Sequence, residues 1–509
     1  MRASPARVGH VWVYFVLAVL AASGPLRAQD AAAKPRFKVE YATYLGGAYW
    51  EEAREIIVYP DGSVLVGAHV CSSGLPTTPG CFQPNYADND PASAHSPIWG
   101  GDYYLARLSA DGGKILAATY FGGSKGDRAV YGMELDSNGN IVIAGGTGSP
   151  DAPTTPGCFQ PKPGGKADML VAKLSPDLKK LLWCTYIGGS GVETPRGGLV
   201  LEKDDSVILV GSSSSPNFPT TPGVVQPNLK GPRDSVVLRL KPDGSGLIFS
   251  TFLGGMGEDD AIMGVRLDAA GNIYVAGHTK STDFPVTAGA PQPKVGGQSD
   301  CYLAKLPPDA SRILYATYLG GQGNEFAEHR PWLTPDGCFI LVGPTLSADF
   351  PTTEGAYQRE LKGKGDGFVT KLSADGKRLV FSTRVGGTGG DNLLMPTVDK
   401  DGNIWVVGNT TSRDFPVTPD ALQAKYGGGQ REGDGLLAAF SPDGSKLLYA
   451  TYLGGSGDET IRSIAFGPKG EIYLVGTTSS PDFPTTPSAL QPKLGGNYDA
   501  FIVKLVPAR

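Results

Sequence analysis

Arg54 and Arg462 stand at the same register of a repeated pattern as His329, Arg196 lies within one position of it, and Arg330 follows His329 directly. Guanidinium groups gathered in one place attract an anion, because their planar forks match carboxylate and phosphate oxygens. A histidine among them adds a group that titrates near neutrality. The same five residues would therefore also serve a hydrolase or lyase acting on a polysaccharide or other anionic substrate. A second candidate set lies within residues 85–101, an insertion that carries Tyr86, Asp88, Asp90, His95 and Trp99. Aromatic faces beside acidic groups suit recognition of a sugar or a protein, although a merely tolerated surface insertion would look the same.

Metal and thiol chemistry have fewer residues behind them. His69 and His278 share a register and could join His329 around a metal, but they come from different repeats and lack close ligand spacing. Acidic residues after the recurring double glycines, Asp127, Glu193, Asp259, Glu325 and Asp458, form a series that a hard cation such as calcium would accept. Capping of backbone N–H groups accounts for the series more simply. Asp399-Lys400-Asp401-Gly402 is followed by Thr410 where a calcium loop needs glutamate, so it reads as a hairpin turn. Cys71 and Cys81 bracket one long loop and are expected to pair in an exported chain, with the other four cysteines as buried thiols. No cofactor is expected, and the chain has no phosphate-binding glycine loop or His-Glu-x-x-His sequence.

These residues hang on a periodic frame. A Thr-Tyr-Leu-Gly-Gly-like element recurs seven times, with double glycines at 46–47, 122–123, 188–189, 254–255, 320–321, 386–387 and 454–455; four of the intervals are 66 residues. Each repeat reads as four short strands rich in β-branched and aromatic residues, separated by Asp-Gly-type turns and one connection of about twenty residues. Four-stranded units repeated at this period pack radially, and the seventh unit stops after its third strand while residues 37–45 form an orphan fourth strand. The fold class is therefore all-β: a closed seven-bladed β-propeller whose last blade is completed by the N-terminal strand. The repeats run over about 46–121, 122–187, 188–253, 254–319, 320–385, 386–453 and 454–505, within a single domain of residues 29–509. The long connections and the double-glycine crossings are expected on one face, with any site there, near the central channel.

The repeat resembles the bacterial β-propeller repeat family known as SBBP. The resemblance rests on Tyr452-Leu453-Gly454-Gly455, Gly271-Asn272-Ile273-Tyr274-Val275 and Asp482-Phe483-Pro484-Thr485-Thr486. It implies a secreted or surface-associated bacterial propeller and brings no catalytic residues with it. Two other columns read as scaffold because every unit has them. One is Asp at the head of the third strand (Asp102, Asp168, Asp234, Asp300, Asp366, Asp434, Asp499); the other is a loop glutamine (Gln83, Gln160, Gln226, Gln292, Gln358, Gln423, Gln491). The Phe of the Asp-Phe-Pro loop is expected to plug the gap between blades.

A net charge of −5 and only 19% charged residues argue against a nucleic-acid partner. Arg2 and Arg7, an apolar stretch from Val11 to Ala22 and a small-residue segment ending at Ala28 read as a signal peptide of residues 1–28. The mature chain is then expected in the periplasm, at the cell surface or outside the cell, with no transmembrane segment. Taken together, the expected role is a non-enzymatic binding or protein-interaction module at the cell envelope, contacting a surface protein or glycan. The alternatives are the hydrolase or lyase above and a structural envelope component.

Overall fold

The computed structural model describes residues 34–90, 100–261, 264–326 and 329–508; the expected signal peptide, His95 and Trp99 lie outside them. The described residues form seven antiparallel sheets arranged as the blades of one propeller. In blade 1 the strands, from the channel outward, are Glu51–Val58, Val64–Val70, Asp102–Leu108 and Ile115–Phe121. Blade 7 is completed as expected: Phe37–Leu45 pairs antiparallel with Asp499–Pro507, from Phe37 opposite Pro507 to Leu45 opposite Ala500. Arg36 extends this latch to blade 6, its Nε 2.7 Å from the Asp420 carboxylate.

Second strands such as Ile472–Thr478 and Ile404–Thr410 are buried at every position, because neighbouring blades cover both of their faces. Such strands read as unbroken apolar runs and not as alternating patterns. The Asp-Phe-Pro phenylalanines fill the seams: Phe284, Phe350, Phe415 and Phe483 are each no more than 3% exposed, which removes them as ligand-facing groups.

The double glycine is held the same way in all seven blades. The first glycine N–H donates to the side-chain oxygen of the loop glutamine, at 2.9 Å for Gly46–Gln491 and 3.0 Å for Gly254–Gln226. The second donates to a carboxylate four residues on, at 2.8 Å for Gly255–Asp259 and 3.0 Å for Gly455–Glu459. In blade 7 this role belongs to Glu459 and not to the expected Asp458, and the series also includes Glu51 and Asp391. A Cβ on Gly254 would stand 2.7 Å from Asp259 Oδ2 and 2.8 Å from Asp234 Cγ, so only glycine fits between the two carboxyl groups. In six of the blades the third-strand aspartate accepts from the same glutamine, as in Gln226 Nε2 to Asp234 at 2.7 Å, and it also accepts from loop N–H groups such as Gly296 to Asp300 at 2.7 Å. Among the described residues no group of three or more His, Cys, Asp or Glu side chains is arranged to hold a metal.

The long connections meet the double-glycine crossings at their ends, as in Lys166 N–H to Gly191 O at 2.9 Å, and between those ends they pair with the outermost strand of their own blade. In blade 4, Thr287 N–H donates to Ala316 O at 3.0 Å and Tyr318 N–H to Gln292 O at 3.2 Å. The Thr287 hydroxyl also accepts from Ala316 N–H at 3.0 Å. They also clamp the next blade, as in Phe82 N–H to Leu178 O and Phe159 N–H to Gly244 O, both 2.8 Å. The physical reason is that an outermost strand would otherwise expose unpaired backbone groups.

Two further departures concern blade 1. Cys71 and Cys81 form no disulfide; Cys71 Sγ lies 3.9 Å from His69 Nε2. Tyr86 is half-buried and packs edge-on against Tyr120, centroids 5.9 Å apart, so it pins its loop to the blade instead of presenting a free aromatic face.

Replacing Gln226 by leucine would leave Gly254 N–H and Asp234 with a missing partner inside the crossing. The expected loss is about 1–3 kcal/mol of unfolding free energy, read from the shift of the urea midpoint at unchanged slope. A pH dependence follows from the same network. Burial raises Glu51, Asp102 and Glu459 to about 7, and Asp391 and Asp499 to about 6. Groups raised in the folded state stabilise it fully below their unfolded values, and that contribution is lost as pH rises from about 4 to about 7. His69, lowered by burial, opposes this trend alone among the groups named here. Thermal unfolding is therefore expected at a higher temperature near pH 5 than near pH 8; the opposite order would mean that these carboxylates stay ionised in the folded protein.

Candidate functional site

The innermost strand of each blade starts on the crossing face and carries extra residues that bulge toward the channel. In blade 1, Arg54 is the unpaired residue between Ala53↔Ala68 and Glu55↔Gly67; in blade 7, Arg462 holds the same place between Ile461↔Gly476 and Ser463↔Val475. Blades 3 and 4 bulge further, with four inner residues facing two between Thr194↔Ser212 and Leu199↔Leu209, and likewise between Asp260↔His278 and Val265↔Val275. Bulges re-aim side chains, and here they turn Arg54, Arg196 and Arg462 inward.

The larger bulges fill one side of the channel. A Cβ on Gly264, at φ +102°, would meet Arg330 Cα at 2.9 Å and Pro331 Cδ at 2.8 Å, so blades 4 and 5 touch backbone to backbone. From blade 5 the segment at Arg330 reaches right across the channel. Its guanidinium lies 3.1 Å from Glu55 of blade 1 and 2.9 Å from Glu134 of blade 2. Burial opposes that charge, yet the two carboxylates hold the Arg330 pKa above its ordinary value. His329, in the left-handed region at φ 78°, meets Arg54 Nη2 at 3.2 Å.

Above this crossbar, on the side of blades 7, 1 and 2, a cavity of about 370 Å³ opens. Arg54, Arg196 and Arg462 line it, whereas His329 and Arg330 do not; their side chains are engaged by Arg54, Glu55 and Glu134. Two arginines absent from the expected set, Arg128 and Arg431, complete the wall. Burial lowers the pKa of Arg128, and the charges of Arg196 and Arg54 lower it further. Three carboxylates also line the cavity: Glu52, Glu432 and Asp458.

Glu52 organises the inner wall. Its carboxylate is 3.1 Å from Arg54 Nη1 and also contacts Arg462 Nε. Burial alone would raise its pKa, but Arg462 and Arg54 overrule that and hold it at about 2. Asp458 Oδ1 accepts four successive N–H groups, from Gln430, Arg431, Glu432 and Gly433, each at 3.0 Å, and so presents Arg431 to the cavity rim. Aromatic surface comes from Tyr131, whose ring carries Arg54 at 4.9 Å, and from Trp50 stacked with Tyr498 at 4.0 Å. His69 faces the same cavity but is buried, its Nε2 engaged with Gly100 O.

Arg128 and Glu52 were legible in one respect. They occupy the fifth position after the second glycine, next to the constant carboxylate, where the repeats read Glu, Arg, Thr, Asp, Phe, Asn and Thr. A column that varies beside one that does not marks a position released from scaffold duty. Arg431 lies in a long connection, and only the Asp458 cap brings it to the channel.

No curated protein is detectably similar in sequence. Among solved structures, a europium-containing methanol dehydrogenase is 12% identical with a TM-score of 0.43, covering 93% of each chain. A quinohemoprotein alcohol dehydrogenase from Comamonas testosteroni is 11% identical with a TM-score of 0.44, over 92% of this chain and 76% of that one. A protein of unknown function from Dyadobacter fermentans is 10% identical with a TM-score of 0.39, over 93% and 100%. Likeness at this level bears on neither cofactor nor substrate. The family model for the SBBP β-propeller repeat matches residues 448–484, from the outer strand of blade 6 through Gly454-Gly455 to Asp482-Phe483-Pro484 of blade 7. The chain thus carries an SBBP β-propeller repeat at residues 448–484 and folds as a seven-bladed β-propeller.

Proposed function

We propose that the protein is an exported, non-enzymatic binding module that holds an acidic glycan of the cell envelope in the cavity at the channel mouth. One observation carries the reading. Five guanidinium groups from blades 1, 2, 3, 6 and 7 converge on a single cavity in a chain whose net charge is −5. Arginine forks clasp a carboxylate, aromatic faces cover the apolar side of a sugar ring, and the lining carboxylates accept bonds from its hydroxyls.

The chemistry of the wall favours binding over catalysis. A glycoside hydrolase needs one carboxyl group that stays protonated near neutrality, and Glu52 is held far below that range. His69 Nε2 is occupied by a backbone carbonyl and His329 by Arg54, so neither imidazole is placed to act as a base in the cavity. Export rests on the N-terminal residues 1–28, as read from sequence.

The test is isothermal titration of purified residues 29–509 with trigalacturonate and with the neutral trisaccharide maltotriose. Saturable binding of the acidic sugar alone is expected. An Arg128→Ala, Arg196→Ala variant, shown to be folded by its cooperative thermal unfolding, should weaken it about tenfold or more. Equal binding of both sugars, or none of either, overturns the reading.

A further inference from the structure

The cavity at the channel mouth does not stand alone. A second cavity of about 270 Å³ lies between blades 2 and 3 and shares Arg128 and Tyr131 with it. Lys125 and Lys166, both exposed, stand on its outer side. On the other flank a depression of about 590 Å³ over blades 5 and 6 shares Arg431 with the central cavity and continues to Arg413 and Lys364. A further hollow against it exposes Phe326 and Leu346, at 39% and 43%, beside Lys364 and Arg431.

We infer that these cavities form one continuous groove across the crossing face, and that its ligand is a linear polyuronate lying along it for several sugar units. This rests on the glycan reading above and extends it from a single pocket to a track. Basic groups recur along the groove, from Lys166 through Arg128, Arg196 and Arg431 to Arg413 and Lys364, as a polymer charged once per residue requires. Aromatic side chains line it as well: Trp50 with Tyr498 in the centre, and Tyr426, with Arg413 5.9 Å from its ring centroid, on the far flank. The central wall also sets carboxylates, Glu52, Asp458 and Glu432, among its cations. A polymer with both carboxylates and hydroxyl donors satisfies such a wall.

Arg431 joins the central cavity to the blade 5 and 6 flank, since it lines that cavity and both hollows on that side. The four bonds to Asp458 fix its backbone there. The geometry is thus preorganised, and a polymer lying on it gains affinity through each added unit without a new loop having to order.

The experiment titrates residues 29–509 with the dimer, tetramer and octamer of galacturonate and with an octamer of deoxythymidylate. Affinity is expected to rise about tenfold or more from dimer to octamer. A Lys166→Ser, Lys364→Ser, Arg413→Ser variant, altered only at exposed positions away from the central cavity, should lose most of that gain and bind the dimer as before. Equal affinity for dimer and octamer, or an unaffected variant, overturns the groove while leaving the pocket reading in place. No binding of any galacturonate overturns both. Binding of the deoxythymidylate octamer as tight as that of the galacturonate octamer overturns the groove's assignment to a polyuronate.

Discussion

Everything in this propeller depends on how it satisfies the two backbone amides at each blade crossing. The chain must pass from the outer strand of one blade to the inner strand of the next with no room for a side chain. Glycine provides the space, the loop glutamine and the carboxylate four residues on provide the acceptors, and the third-strand aspartate closes the set. An unmade bond at any of these buried groups costs about 1–3 kcal/mol, which explains why the combination returns in every blade. It also explains the raised carboxylate pKa values: two acids must sit beside each other, dry, to hold one turn of backbone.

The second constraint is the rim. A ring of blades has no open sheet end, but each blade still has an outermost strand with unpaired backbone. The long connections are used up in covering it and in gripping the next blade. Blade 6 shows how firmly these duties are kept. Where other blades place Lys or Arg in the third strand, as in Lys305 at 3.0 Å from Asp268, blade 6 has Ala439, and Trp405 Nε1 instead bonds Asp399 at 2.9 Å.

With crossings and rims committed to structure, variety is left to the first turn of the inner strands. There the bulges differ from blade to blade. Those of blades 3, 4 and 5 fill their side of the channel, Arg330 bars it below, and the remaining space opens toward blades 7, 1 and 2. The off-axis position of the cavity is thus a packing consequence of unequal bulges, and its charge a consequence of which residues ride on them.

The repeat period, the turn residues and the orphan N-terminal strand were enough to predict seven four-stranded blades and their closure, because those depend on local spacing and on pairing partners visible in the chain. The same reading placed Arg54, Arg196 and Arg462 at one register, and they do meet. It also grouped His329 and Arg330 with them and left out Arg128 and Arg431. That division has a physical cause. Register along a repeat tells which residues share a height in the ring, but whether an arginine faces a cavity or a carboxylate depends on bulges and on residues such as Glu55, Glu134 and Asp458, hundreds of positions away or in another blade. The sequence by itself determined the ring, its latch and its scaffold columns; only the tertiary structure decided which charges pair with one another and which line the cavity, since ion pairing is settled across the channel and not along the chain.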